Sequence, residues 1–126
     1  MKSILIATAV LTLVGLSAFA QDTSGTWTKK SYAIKGSWKI ENQEISLSNF
    51  STKAAPDLKV FLSPLSASEL DNKNATTGAI LVSKLQSLKG NQRYVLPEGT
   101  DLSKYKSILI HCQKYSKLWG AASLAP

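Results

Sequence analysis

Between Tyr32 and Ile40 the side chains alternate, with Tyr32, Ile34, Trp38 and Ile40 on even positions and Lys35, Ser37 and Lys39 on odd ones. One apolar and one polar face predict a half-buried strand. Gly36 falls on the apolar face, where a bulge or a close neighbour would account for it. Glu41-Asn42-Gln43-Glu44 reads as a hairpin connection and Ile45-Ser46-Leu47 as the return strand, followed by a loop from Asn49 to Ala54. After Pro56, the stretch Leu58 to Leu62 is apolar on both faces, which predicts a central strand.

The Ser-, Asn- and Thr-rich segment from Ser63 to Gly78 is the longest irregular stretch and is expected to be a mobile loop. Within it, Ser66 and Glu69 have the spacing of a short capped helical turn. Strands are predicted at Ala79 to Val82, Gln92 to Leu96, Lys106 to Cys112 and Leu118 to Leu124. Turns are predicted at Lys89-Gly90-Asn91 and Pro97-Glu98-Gly99, and one helical turn or an irregular connection from Asp101 to Tyr105. Together these predict an all-β fold, a small antiparallel β-sandwich of about 7–9 strands rather than a barrel.

The first 20 residues break this pattern: Lys2, an apolar run from Ile4 to Phe19, and then Ala18-Phe19-Ala20 before Gln21. This is the layout of a secretory signal peptide, and no cysteine follows the cut to take a lipid anchor. Its removal leaves residues 21–126, roughly a hundred residues, the size of one domain with its own core. The expected location is therefore outside the cytoplasm, periplasmic or secreted, with no membrane-spanning segment after cleavage.

The net charge of +7 on 126 residues points to anionic partners, among them phospholipid headgroups, anionic glycans or an acidic protein. Nucleic acid is excluded on two grounds: the lysines are scattered around a single arginine, Arg93, and the chain is exported. Aromatic and basic residues interleave from Trp27 to Lys39, but alternation puts Tyr32 and Trp38 on one face and Lys35 and Lys39 on the other. The lysines read as a solvated face.

One cysteine, Cys112, and one histidine, His111, stand side by side near the end of the chain. A lone cysteine in an exported chain implies an intermolecular bond, a reactive thiol or simple burial. On a strand Cys112 shares a face with Ile108 and Ile110, while His111 shares the other with Leu109, so the two cannot form a nucleophilic dyad unless a bulge intervenes. Taken alone, the residues favour a small buried hydrophobe. The chain has too few soft ligands for a zinc site, lacks C-x-x-C-H for covalent haem, and lacks the cysteines for an iron-sulfur cluster. A thiolate-ligated noncovalent haem or another redox cofactor is left open, with no other residue pointing to either. Asp57, after Pro56, has the place of a turn residue that bonds nearby backbone N–H groups. No carboxylate pair, phosphate-binding glycine loop or nucleophile elbow occurs. Asn49-Phe50-Ser51 and Asn74-Ala75-Thr76 fit the glycosylation sequon, which matters only in a eukaryotic secretory pathway.

The glycine-centred strand from Tyr32 to Ile40, then Asn49-Phe50, Pro56-Asp57-Leu58 running on to Ser63, Leu85 to Gly90, and Gln92 to Pro97 recur in a fixed order. They are followed by Ile110-His111-Cys112, Tyr115, Trp119-Gly120-Ala121 and Leu124. In this order and spacing, the chain from about Gly25 to Leu124 resembles the DM-thirteen domain, a proposed electron-transfer module associated with DOMON domains. The resemblance implies an all-β domain in which Cys112 serves redox chemistry or holds a redox cofactor, with Asp57 as an auxiliary group. Tyr115 and Trp119 are the candidate cofactor neighbours. It also implies a bacterial exported protein with a redox partner, monomeric or joined as a dimer through Cys112. His111 stands where an aromatic such as Trp is frequent, and Ala55 where Gly is frequent, so no role that depends on an indole beside the cysteine carries over. The alternative function is a non-catalytic interaction module of the cell envelope that binds an anionic component through a basic face.

Overall fold

A computed structural model describes residues 23–124, and the expected leader at residues 1–20 lies outside them. Nine strands form two antiparallel sheets. They are β1 (Thr23–Thr26), β2 (Thr28–Lys29), β3 (Ile34–Glu41), β4 (Glu44–Thr52), β5 (Leu58–Ser63), β6 (Ile80–Lys84), β7 (Lys89–Val95), β8 (Ser107–Cys112) and β9 (Lys117–Ser123). One sheet has the order β1-β3-β4-β7 and the other β2-β9-β8-β5-β6. The predicted β-sandwich is the observed architecture.

The core between the sheets follows from alternation. Ile34, Trp38 and Ile40 of β3 and Ile45, Leu47 and Phe50 of β4 point inward, against Leu58, Val60 and Leu62 of β5 and Ile108, Ile110 and Cys112 of β8. The central place predicted for β5 is observed, since it pairs with β6 on one side and β8 on the other.

Both faces of the second sheet are buried. Its outward side chains Phe61, Leu109, Leu118 and Ala121 form a second cluster with Ala67, Leu70 and Ala75 of the segment between β5 and β6. That segment was expected to be mobile, but it is a packed cover, because an apolar outer face left in water would forfeit its burial energy. Ser66 and Glu69 close a turn in it, the carboxylate accepting from both the Ser66 amide and hydroxyl at 2.9 Å. The Asn72 side chain accepts the Leu118 amide of β9 at 2.8 Å and ties the cover down.

Of the bulge or close neighbour expected at Gly36, the structure shows the close neighbour: between Lys35↔Ser51 and Ser37↔Ser48, Gly36 alone faces Asn49 and Phe50, so the extra residue is on β4. Gly36 has φ +96°, and a Cβ there would stand 2.3 Å from the Ser48 carbonyl oxygen, so only glycine lets the strands meet. The same β4 bulge, at Asn49 (φ 53°), also shifts the register against β7 and lets β4 run on to Thr52, where a loop was expected. The turn expected at Lys89-Gly90-Asn91 is instead the start of β7, paired with Phe50 and Ser51 of β4; the other expected strand bounds are met within a few residues, and β1 and β2 were not foreseen.

Candidate functional site

Cys112 is the last residue of β8 and stands opposite Leu58, the first residue of β5. Its side chain is wholly buried on the inner face, and Leu58 is 6% exposed. The β8–β9 register shifts between Ile110 and His111, and the extra residue is Trp119 of β9. Against β5 the ladder stays regular, so the bulge does not turn His111 and Cys112 toward each other. Cys112 faces the core and His111 faces the second cluster, where its ring meets Phe61 edge-on with centroids 6.1 Å apart.

His111 is buried, and its Nδ1 has no hydrogen-bond partner. Desolvation holds its pKa below the ordinary value, and the nearby Asp57 carboxylate partly offsets that. Asp57 thus belongs to the outer face. Its carboxylate pairs with Lys59 at 3.4 Å rather than bonding backbone N–H groups, while its own carbonyl accepts the Gln113 amide at 3.1 Å. The Lys59 ammonium also donates to the Gln113 side chain at 2.6 Å. Lys59 and Gln113 were not singled out in the sequence, where their signal was only a lysine two residues after Asp57 and a glutamine after the cysteine.

Of the four residues suspected, the structure brings Cys112 and Trp119 into one core and parts them from the other two. Trp119 is buried on the inner face, its indole N–H donating to the Lys53 carbonyl at 3.3 Å. Its ring stacks at 4.3 Å between centroids on Tyr32, over which the Lys53 ammonium sits at 5.0 Å. Tyr115 is 60% exposed in the turn between β8 and β9. Near Cys112, a cleft of about 350 Å³ opens between Ala55-Pro56-Asp57-Leu58 and Lys84-Leu85-Gln86-Ser87-Leu88.

A thiolate-ligated haem needs an open face on the sulfur, and Cys112 has none. The only histidine, which could supply a second ligand, points to the opposite side of the sheet. The residues present therefore do not fit such a group. Among the described residues, no three His, Cys, Asp or Glu side chains gather as a metal-ligand set.

Fold and site together define a two-sheet β-sandwich with a single thiol closed into one end of its core. The family described as Electron transfer DM13 matches residues 19–124, and the chain belongs to that family, so the domain is of the electron-transfer DM13 type. No curated protein and no solved structure matches the chain significantly.

Proposed function

We propose that this is an exported electron-transfer domain whose Cys112 is a gated thiol, closed in the resting fold and reactive when the adjoining strand end opens. The observation that carries the reading is the position of Cys112. It is fully buried, yet it ends β8, and the next residues, Gln113 to Ser116, form an exposed turn. Strand ends open at a small fraction of the free energy of global unfolding, so burial at this place slows the thiol without abolishing its chemistry. A thiol at the middle of β8 would have no such route.

In the opened state the Cys112 thiolate attacks one sulfur of a disulfide in a partner protein. A mixed disulfide forms, and the partner's other sulfur leaves as thiolate. With no second cysteine in the chain, two low-molecular-weight thiols complete the transfer: the first attacks the Cys112 sulfur and releases the reduced partner, and the second attacks the resulting disulfide, returning the Cys112 thiol and leaving the two small thiols joined as a disulfide. Export is supported by the leader-like residues 1–20, nearly all of which the family match leaves out by starting at residue 19.

The test is the rate of iodoacetamide labelling of Cys112 as urea is raised. Labelling through local opening depends only weakly on urea at low concentration, because little surface is exposed. Labelling that follows global unfolding with its full urea dependence makes Cys112 a structural residue and ends this reading.

A further inference from the structure

We propose that the end of the sandwich where Cys112 lies is a docking surface for an acidic face of a partner protein. At this end β4, β6 and β8 finish and β3, β5, β7 and β9 begin, as the pairs Lys35↔Ser51, Leu58↔Cys112 and Cys112↔Lys117 show. The short connections 53–57, 85–88 and 113–116 close it. The topology therefore gathers here lysines that are scattered in the sequence: Lys35, Lys53, Lys84, Lys89, Lys114 and Lys117. Lys35 and Lys89 flank Ser51 in one row across three strands. None of the six lysines is in an ion pair among the described residues.

The acids near this end are Asp57, paired with Lys59 at 3.4 Å, and Asp71, which precedes the Asn72 that holds Leu118 and accepts the Lys73 and Asn74 amides. The opposite end carries Glu41, Glu44, Glu98 and Asp101 around the β3–β4 hairpin and the connection after β7. There Lys39 lies 3.0 Å from Glu41, and Arg93 lies 3.8 Å from Glu44. Lys104 and Lys106 stand at the same end as these four acids, so the net positive charge of the domain lies toward the thiol end. Such a field orients a negative partner before contact and speeds encounter.

The surface has the anatomy of a protein interface. Within the lysine rim lies a cleft in which Ala55, Pro56, Leu85 and Leu88 stand among polar and charged side chains, Asp57 and Gln86 included, with Leu88 itself 38% exposed. Apolar side chains set among polar and charged ones give the mixed composition of a non-obligate protein contact. Lysine, a hydrated point charge on a flexible stem, suits short-lived association. The inference rests on Cys112 as the reacting group only for its purpose, to bring a redox partner to the thiol, and its test reads binding alone.

The full chain, isotope-labelled for amide NMR, is titrated with poly-L-glutamate and separately with phosphatidylglycerol vesicles. Poly-L-glutamate is expected to shift amides around Lys35, Lys84, Lys89 and Lys117, with the effect fading as salt rises. The double variant Lys84→Glu/Lys89→Glu should bind about tenfold more weakly, while Lys104→Glu/Lys106→Glu, an equal charge change at the far end, should bind nearly as the parent does. Equal weakening by both variants would mean that net charge alone acts, and would overturn the proposal. Binding to the vesicles but not to polyglutamate would overturn it in favour of a membrane. Cys112 labelling in Lys84→Glu/Lys89→Glu should match the parent, so a failed docking surface and a failed gated thiol give separate signatures.

Discussion

Leu58 and Cys112 face each other as the pair that ends the β5–β8 ladder, both turned into the core and one residue away from exposed chain on β8. A substitution at Cys112 is therefore felt by the core as well as by any chemistry of the thiol. Cys112→Ala removes one sulfur from a packed site and should cost about 1 kcal/mol. Cys112→Ser places a hydroxyl among apolar neighbours and should cost about 1–3 kcal/mol. Urea denaturation of the two variants checks the order. Serine as stable as the parent would mean that water already reaches the site.

The pH dependence of stability should centre on His111. Burial holds its folded pKa below the ordinary 6.5, while Asp57 pushes the other way and Lys59 pairs with Asp57. The folded state then binds fewer protons than the unfolded state in this range, so stability is complete above 6.5 and falls as the pH drops toward the folded value. Glu69 and Asp101 are both lowered, the first by hydrogen bonds from Ser66 and the second from Ser103. Their contributions are present above their ordinary values of 4.5 and 3.8 and are lost below them, outside the histidine window. His111→Phe should flatten the fall in stability as the pH drops below the ordinary 6.5, and Asp57→Asn should steepen it. An unchanged slope in His111→Phe would refute the assignment.

Two glycines with nearly the same backbone angle separate strain from crowding. Gly36 has φ +96° and Gly90 has φ +97°, but a Cβ on Gly36 would run into the backbone of Ser48 and Asn49, whereas one on Gly90 meets nothing within 4 Å. Gly90→Ala should cost about 1 kcal/mol, the conformational part alone. Gly36→Ala should cost well above that, on the order of 3 kcal/mol, because the β3–β4 ladder must separate. Equal losses in thermal or urea unfolding would show that the strands yield easily at the bulge.

What could be read from the sequence was whatever rests on strict alternation. Ile34, Trp38, Ile40, Leu58 to Leu62 and Ile108 to Cys112 gave the strands, the inward faces and the parting of His111 from Cys112. β1 was missed because its partly buried residues, Thr23 and Gly25, are not aliphatic, and β2 because both of its residues are exposed. A Cβ added to Gly25 would stand 3.3 Å from the Trp38 ring, a tight contact. The end of β4 was missed because the bulge at Asn49 breaks the period of two just before Phe50. The lysine-rich end could not be read at all, since Lys35, Lys84, Lys89 and Lys117 become neighbours only through strand pairing. Likewise, Asp57 and Cys112 belong together in the family pattern but lie on opposite faces of the same sheet.

The cover over the second sheet should hold by a single side-chain bond at its far reach. Asn72 accepts the Leu118 amide at 2.8 Å, and the Leu118 carbonyl accepts the Ser31 amide at 3.1 Å, so both backbone groups of Leu118 are met from outside the β8–β9 ladder. Asn72→Ala leaves that buried N–H without an acceptor and should cost about 1–2 kcal/mol. The loss should be local: hydrogen exchange at the Leu118 amide should quicken, and protection across β5 and the middle of β8 should persist. His111 lies under the same cover, next to Leu118 across the ladder, so its pKa should also rise toward the ordinary value as water gains access. If Leu118 exchange is unchanged in Asn72→Ala, the cover is held by Ala67, Leu70 and Ala75 alone, and the bond to Asn72 is dispensable.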